Sequence, residues 1–215
     1  TVCVQVGASA LPAGWLDYET IRAAAAGDFP RTGDAPGGAD PLLIFFSSGT
    51  TGMPKMVEHS HGYPLGHLTT GVYWHNLEPG DVHLTLADTG WGKAVWGKFY
   101  GQWMAGATVF TWDFRGKFVP AELLDIISQH KVTTFCAPPT VYRFLIREDL
   151  KKYDLSALRY CTTAGELLND SVFSSWLEIT GLPIYEGYGQ TETCLQIATF
   201  PCMKPKPGSI GRPAP

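Results

Sequence analysis

Hydrophobic and polar positions along the chain follow two regimes. Residues 1–40 contain one short amphipathic helical stretch, "LDYETIRAAAA", followed by "GDFPRTGDAPGGADP", a Gly/Pro/Asp run that reads as linker or surface loop. From Leu42 onward apolar segments recur at regular intervals. "LLIFF" is a continuous apolar run expected to form a buried strand, and "MVEHSH" a second strand after the loop between them. "GYPLGHLTTGVYWHN" is expected to turn helical past Pro64, and "LEPGD" to turn the chain into the alternating strand "VHLTLAD".

Helix and strand then alternate four times. "KAVWGKFYGQWMA" leads to "ATVFTW", and "PAELLDIISQHK", with Leu123, Leu124, Ile126 and Ile127 on its apolar positions, leads to "VTTFCA". "PPTVYRFLIREDL", with proline in its first turn, leads to "LRYCTTAG". "NDSVFSSWLEIT", capped by Asn169 or Asp170 and closed by Gly181, leads to "LPIYEGYG". Strands separated by single helices pair in parallel with right-handed crossovers, so the expected class is α/β, a layered sheet with flanking helices. Ligands of such sheets bind outside the carboxyl ends of the strands. That rule selects five loops: "SSGTTGMPK", "ADTGWGK", "APPT", "TTAGE" and "EGYGQTE".

Composition narrows the partners. The net charge is −4, and no more than two basic residues are adjacent, so the chain carries no electrostatic footprint for nucleic acid or an acidic membrane surface. No run reaches the roughly 18 apolar residues of a membrane span. Five cysteines without a C-x-x-C pair read as reduced thiols, which points to a cytoplasmic setting, with the mitochondrial matrix as the alternative. Small molecules are the expected partners, and the oligomeric state stays open. The start without Met and the Gly/Pro end suggest a piece of a longer chain.

The loop after "LLIFF" carries the sharpest chemistry. Glycines let backbone N–H groups converge, and clustered hydroxyls with one ammonium supply further donors, as a phosphate site needs. A polar surface loop after a strand accounts for the same composition. The spacing is not G-x-x-x-x-G-K-[ST], which excludes the common NTPase loop. Thr191 and Glu192 suit an N-cap threonine with a first-turn glutamate equally well. His59, His61 and His67 lie close in sequence but lack a recurring metal-ligand spacing, and the helix with Trp96, Phe99, Tyr100 and Trp103 reads as packing.

Taken together and in this order, "SSGTTGMPK", "DTGW", "TTAGE" and "YEGYGQTE" resemble the adenylate-forming superfamily, which includes acyl-CoA synthetases, firefly luciferase and peptide-synthetase adenylation domains. "FFSSGTTGMPKMVEHSHGY", "ADTGWGKAVWGKFYGQW" and "KPGSIGRPAP" look most like medium-chain acyl-CoA synthetases. The resemblance implies ATP, Mg²⁺ and coenzyme A as cofactors and a small carboxylic acid as substrate. It assigns Ser47, Ser48, Gly49, Thr50, Thr51, Gly52, Met53, Pro54 and Lys55 to the β- and γ-phosphates. Thr191 falls to the α-phosphate and Glu192 to the metal. Tyr188 would stack on adenine, opposite Gly165 and Glu166, with Glu186, Gly187, Gly189 and Gln190 completing the nucleotide site. Trp91 and Gly189 would line the acyl pocket, and His61 and His67 would border it. Glycine at 189, where acetate-specific relatives have tryptophan, is expected to open the pocket toward medium-chain or aromatic acids, each buried methylene adding about 0.8 kcal/mol.

On the same resemblance, residues 1–40 are the end of a preceding N-terminal region and linker, and 41–215 the central part of the ATP/AMP-binding large domain. The ribose-binding aspartate, hinge and small C-terminal domain with its catalytic lysine would lie beyond, so the piece alone is expected to be inactive, with exposed strand edges that favour association. The alternatives are an adenylation domain loading a carrier protein and a nucleotide-binding module without turnover.

Overall fold

The computed structural model describes residues 1–215 except 1, 8, 9, 48–51, 89 and 115. The chain divides into two units, Thr1–Pro36 and Gly37–Pro215. In the first, β1 (Val4–Gln5) pairs in parallel with β2 (Leu16–Asp17). Helix α1 (Tyr18–Ala24) follows, capped by Asp17, whose carboxylate accepts from the Thr20 N–H at 2.9 Å. Only this part of the expected helical stretch is helical, and α1 has no buried residue, so its apolar stripe does not make it a core helix.

In the second unit, β3 (Pro41–Ser47) and β4 (Lys55–Ser60) form an antiparallel hairpin, with Ser47 opposite Lys55 and Leu43 opposite His59. The hairpin is a sheet of its own, not part of the large one. Its outer face therefore stays exposed, Phe46 and Met56 at 67% and 68%, which corrects the buried strand expected of "LLIFF". A continuous apolar run does not distinguish the two cases. Helix α2 (Tyr63–Leu68), with Pro64 in its first turn, continues through a π-helical turn at Thr69–Trp74.

Seven further strands form the main sheet. They are β5 (Val82–Thr85), β6 (Thr108–Val109), β7 (Thr134–Cys136), β8 (Tyr160–Ala164), β9 (Ile184–Gly189), β10 (Leu195–Ala198) and β11 (Arg212–Pro213). Their spatial order is β11-β10-β9-β8-β7-β5-β6. The run β6-β5-β7-β8-β9 is parallel throughout, as the strand-helix alternation requires. Beyond β9 the sheet reverses: β10 and β11 are antiparallel additions that the sequence pattern does not announce.

The expected helix "KAVWGKFYGQWMA" is broken. Helix α3 (Gly92–Lys98) stops at Phe99, at φ −127° and ψ −92°, and α4 (Tyr100–Met104) begins at the next residue. There the chain passes the π-helical turn backbone to backbone. A Cβ on Gly101 would lie 2.4 Å from the His67 carbonyl oxygen, and one on Gly71 2.5 Å from the Gly101 carbonyl. Only glycine permits that approach.

Helices α5 (Pro120–Gln129), α6 (Pro139–Leu145) and α7 (Asp170–Thr180) cover one face of the sheet. Their Leu123, Leu124, Ile127, Tyr142, Leu145, Val172 and Trp176 close on Phe135, Cys161 and Ile184. Cys136 and Ala164 belong to a second cluster with Trp74, Trp96 and Leu195. Strand alternation places this cluster on the opposite face, so the strands are covered on both sides. Asn169 caps α7 through the Ser171 N–H, and Gly181 closes it in the left-handed region at φ 72°.

The amino ends of the strands are tied by a charged staple. Asp81 accepts from Arg159 Nε at 3.0 Å and Nη2, from Thr133 Oγ1 at 2.7 Å and from the Glu78 N–H at 2.8 Å. Burial pushes its pKa up, but these hydrogen bonds outweigh it and hold the carboxyl below the usual range. The carboxyl ends are left for ligands.

Candidate active site

A cleft of about 390 Å³ opens at the carboxyl ends of β8 and β9. Phe45, Phe46 and Ser47 of β3 form one wall, Trp91, Lys93 and Trp96 at the start of α3 another, and Ala164, Gly165, Gly189, Gln190 and Thr191 the floor. Four of the loops singled out by the strand rule, after β3, β5, β8 and β9, therefore meet at one place. The fifth, after β7, is tied to them because Thr140 Oγ1 donates to Glu166 Oε2 at 2.7 Å.

The turn after β9 is built from its own polar groups. Gln190 N–H donates to Thr193 Oγ1 at 3.0 Å, and Thr193 N–H to the Gln190 carbonyl at 3.1 Å. No helix follows, so the N-cap alternative for Thr191 fails: the chain turns directly into β10. Thr191 faces the cleft and Glu192 is exposed beside it.

Two of the other expected nucleotide residues, Glu186 and Gly187, make contacts within the fold. Glu186 is buried, and its Oε1 accepts the Leu168 N–H at 3.1 Å, with burial pushing its pKa up. That bond ties β9 to the segment following Gly165 and Glu166. Gly187 faces the Trp74 ring, which a Cβ would meet at 2.5 Å. Tyr188 is part-exposed on the neighbouring position of the strand. Lys55, Gly52, Met53 and Pro54 are exposed around the start of β4. Ser48, Gly49, Thr50 and Thr51 lie outside the described residues.

The space expected over Gly189 is filled. A Cβ on Gly189 would stand 1.9 Å from Cη2 of Trp96 and 2.6 Å from the Cys194 carbonyl oxygen. Glycine at 189 therefore admits an indole of the chain itself, with the Gly189 backbone still lining the cleft. Trp96 is held there by its Nε1–H, which donates to the Tyr63 hydroxyl at 3.0 Å. Of the aromatic helix read as packing, Trp96 lines the cleft and Trp103 is largely exposed. Trp91 stands on the ridge between the cleft and a depression of about 580 Å³ along the ends of β5 and β6.

Lys93 is the functional candidate that sequence reading missed. Its Nζ donates to the Ala164 carbonyl at 2.9 Å inside the cleft wall, and desolvation pushes its pKa below the usual lysine range. One lysine in an amphipathic helix gives no sequence signal of this. His61 and His67 do not line the cleft, and His67 is fully buried behind Trp96 and Tyr63. Among the described residues no three His, Cys, Asp or Glu side chains converge on a metal position.

The residues present fit a nucleotide with its cation. Gly165, at φ 98°, has open space where a Cβ would stand, so the floor is bare backbone to a ligand. Glu192 offers one exposed carboxylate, the donor set of a hard cation that takes its other oxygens from phosphate and water.

The sequence model of the AMP-binding enzyme family matches residues 2–215. The chain belongs to the AMP-binding enzyme family. This AMP-binding chain is 45% identical over 175 residues to human mitochondrial acyl-coenzyme A synthetase ACSM3, covering 81% of the chain and 30% of that relative. With human mitochondrial acyl-coenzyme A synthetase ACSM4 it shares 40% over 200 residues, covering 93% of the chain and 34% of the relative. The AMP-binding chain thus spans about a third of the length of these relatives. The anthranilate CoA ligase AuaEII, solved in complex with anthranoyl-AMP, superposes with a TM-score of 0.86 at 31% identity, over 99% of this chain and 41% of the ligase. An acyl-CoA synthetase from Brucella canis superposes at 0.84 with 26% identity, over 96% and 38%. No helix among the described residues is long and apolar enough to cross a membrane.

Proposed function

We propose that the protein containing this segment is an AMP-forming acyl-CoA synthetase that activates a medium-chain or aromatic carboxylic acid. The observation that carries the reading is the convergence of Ser47, Trp91, Gly165, Gly189 and Thr191 from four separate loops on one cleft at the carboxyl ends of a parallel sheet. In the first half-reaction a carboxylate oxygen attacks the α-phosphorus of ATP, and the bond to pyrophosphate breaks. In the second, the coenzyme A thiol attacks the acyl carbonyl, AMP leaves and the thiol proton passes to solvent.

Both steps rest on positioning and charge neutralisation. The hydroxyl of Thr191 orients the α-phosphate, while Lys55 and the loop from Ser47 to Pro54 receive the departing pyrophosphate. Glu192 is the residue to hold Mg²⁺, which when bound neutralises phosphate charge as a Lewis acid. Tyr188, Gly165 and Gln190 border the purine. The acid lies against Trp91 and Trp96, which favours flat or slender apolar chains. The five cysteines are free thiols, in keeping with a reducing compartment, the cytoplasm or the mitochondrial matrix.

The test is acid-dependent ATP–pyrophosphate exchange by the full protein, with octanoate, benzoate, acetate and an amino acid compared. Exchange with octanoate or benzoate well above acetate is expected. A folded protein that binds MgATP yet exchanges with no acid overturns the proposal.

A further inference from the structure

His59 lies four residues along β4 from Lys55, on the same face of the strand. Its ring stacks on Tyr63 with centroids 3.8 Å apart and an interplanar angle of 23°, and meets the edge of Phe45 at 5.7 Å. The residue is only 8% exposed, so its ring nitrogens have little access to water. Nε2 stands 2.7 Å from the Thr191 carbonyl oxygen. A carbonyl only accepts, so Nε2 carries the proton. Tyr63 adds a second tie, its hydroxyl donating to the Thr193 carbonyl at 3.4 Å while accepting from Trp96.

The turn that carries Thr191 and Glu192 closes upon itself through Gln190, Thr193 and the Cys194 carbonyl, which accepts from Thr193 Oγ1 at 2.8 Å. His59 ties it to β4, while α2 holds it through the Tyr63 hydroxyl and through Cys194 Sγ, which donates to the Tyr63 carbonyl at 3.8 Å. We infer that His59 is a positioning residue, which holds Thr191 and Glu192 at a fixed distance from Lys55 by donating Nε2–H to the Thr191 carbonyl. The inference rests on the roles proposed above for that turn. One strand then connects both ends of the triphosphate: Lys55 at its start faces the outer phosphates, and His59 fixes the groups at the α-phosphate and metal.

The experiment compares His59→Phe, which keeps the stack and removes the donor, with His59→Gln, which restores an N–H at similar reach, in the full protein. Thr191→Ala and Glu192→Gln serve as references. ATP–pyrophosphate exchange is resolved into kcat, KM for MgATP and KM for the acid, and melting temperatures are recorded. His59→Phe is expected to lower kcat/KM for MgATP about tenfold, the loss of one buried hydrogen bond, with KM for the acid unchanged and His59→Gln recovering most of it.

Full activity in His59→Phe, while Thr191→Ala and Glu192→Gln are crippled, overturns the inference alone. Reference variants that exchange normally overturn the reading of the turn, and the inference with it. Equal losses of melting temperature and activity in both His59 variants, with KM for MgATP unchanged, assign His59 to stability and also overturn it.

Discussion

Acidification from pH 7 to pH 5 should destabilise this fold through histidines that never meet water. His83 is fully buried, with Nδ1 2.7 Å from Thr134 Oγ1 and Nε2 2.8 Å from Thr85 Oγ1, and burial pushes its pKa down to about 3. His67 is likewise buried and pushed down to about 4, with its Nε2 unpartnered. His75, whose ring lies tilted with its centroid 4.6 Å from that of His83, shifts in the same direction. Unfolded histidine titrates near 6.5, so the unfolded chain binds more protons everywhere between 6.5 and the folded values.

Stability is therefore complete above pH 6.5 and falls as pH drops toward 4. At pH 5, His67 and His83 each remove about 2 kcal/mol, a large share of the roughly 5–15 kcal/mol of a typical domain. Asp81, held below the usual carboxylate range, stays ionised in this window and does not contribute to the loss. Glu186, pushed up by burial, works in the opposite sense at the acid end. Urea unfolding followed by tryptophan fluorescence at steps from pH 7.5 to 5 measures the loss directly. His83→Gln should flatten the slope by about 1.4 kcal/mol per pH unit, one proton's worth. An unfolding free energy that is the same at pH 7.5 and pH 5 would refute the reasoning.

Two further outcomes follow from contacts at the site and at the staple. Gly189→Ala should cost about 1–3 kcal/mol by driving a methyl group into Trp96. Combining it with Trp96→Ala should recover part of that loss in a double-mutant cycle, and strictly additive losses would show that the two do not touch. Asp81→Ala should lower the urea-derived stability by about 3 kcal/mol, because Arg159 and Thr133 lose their shared acceptor. A loss no larger than that of an exposed ion pair would remove the staple from the account.

The parallel core was legible because each strand is followed by a helix whose ends carry their own signals, such as Asn169 and Gly181 around α7 and Pro120 and Pro139 opening α5 and α6. What those signals cannot report is pairing across the sheet. "LQIA" is too short and mixed to stand out, and becomes β10 only because β9 offers an edge. "LLIFF" reads alike whether both faces are covered or one. The site divides the same way. Its loops were visible as polar and glycine-rich punctuation after strands, which brought Trp91, Gly165 and Thr191 to the correct end. Lys93, Trp96 and His59 sit inside periodic elements, where a residue with a long-range partner is indistinguishable from one that only packs. Gly189 shows the limit most sharply, since an absent side chain reads as space until its neighbour is placed.

The antiparallel return from β9 into β10 has a consequence for how this site is held. Leu195 pairs with Gly189, so the intervening turn has a fixed number of residues. The register shifts once within β10, between Leu195 and Ile197, and this irregularity lets Leu195 and Ala198, three residues apart, both be buried. The turn that places Thr191 at the cleft is thus clamped at both ends, by β9 on one side and by the pairing of β10 on the other.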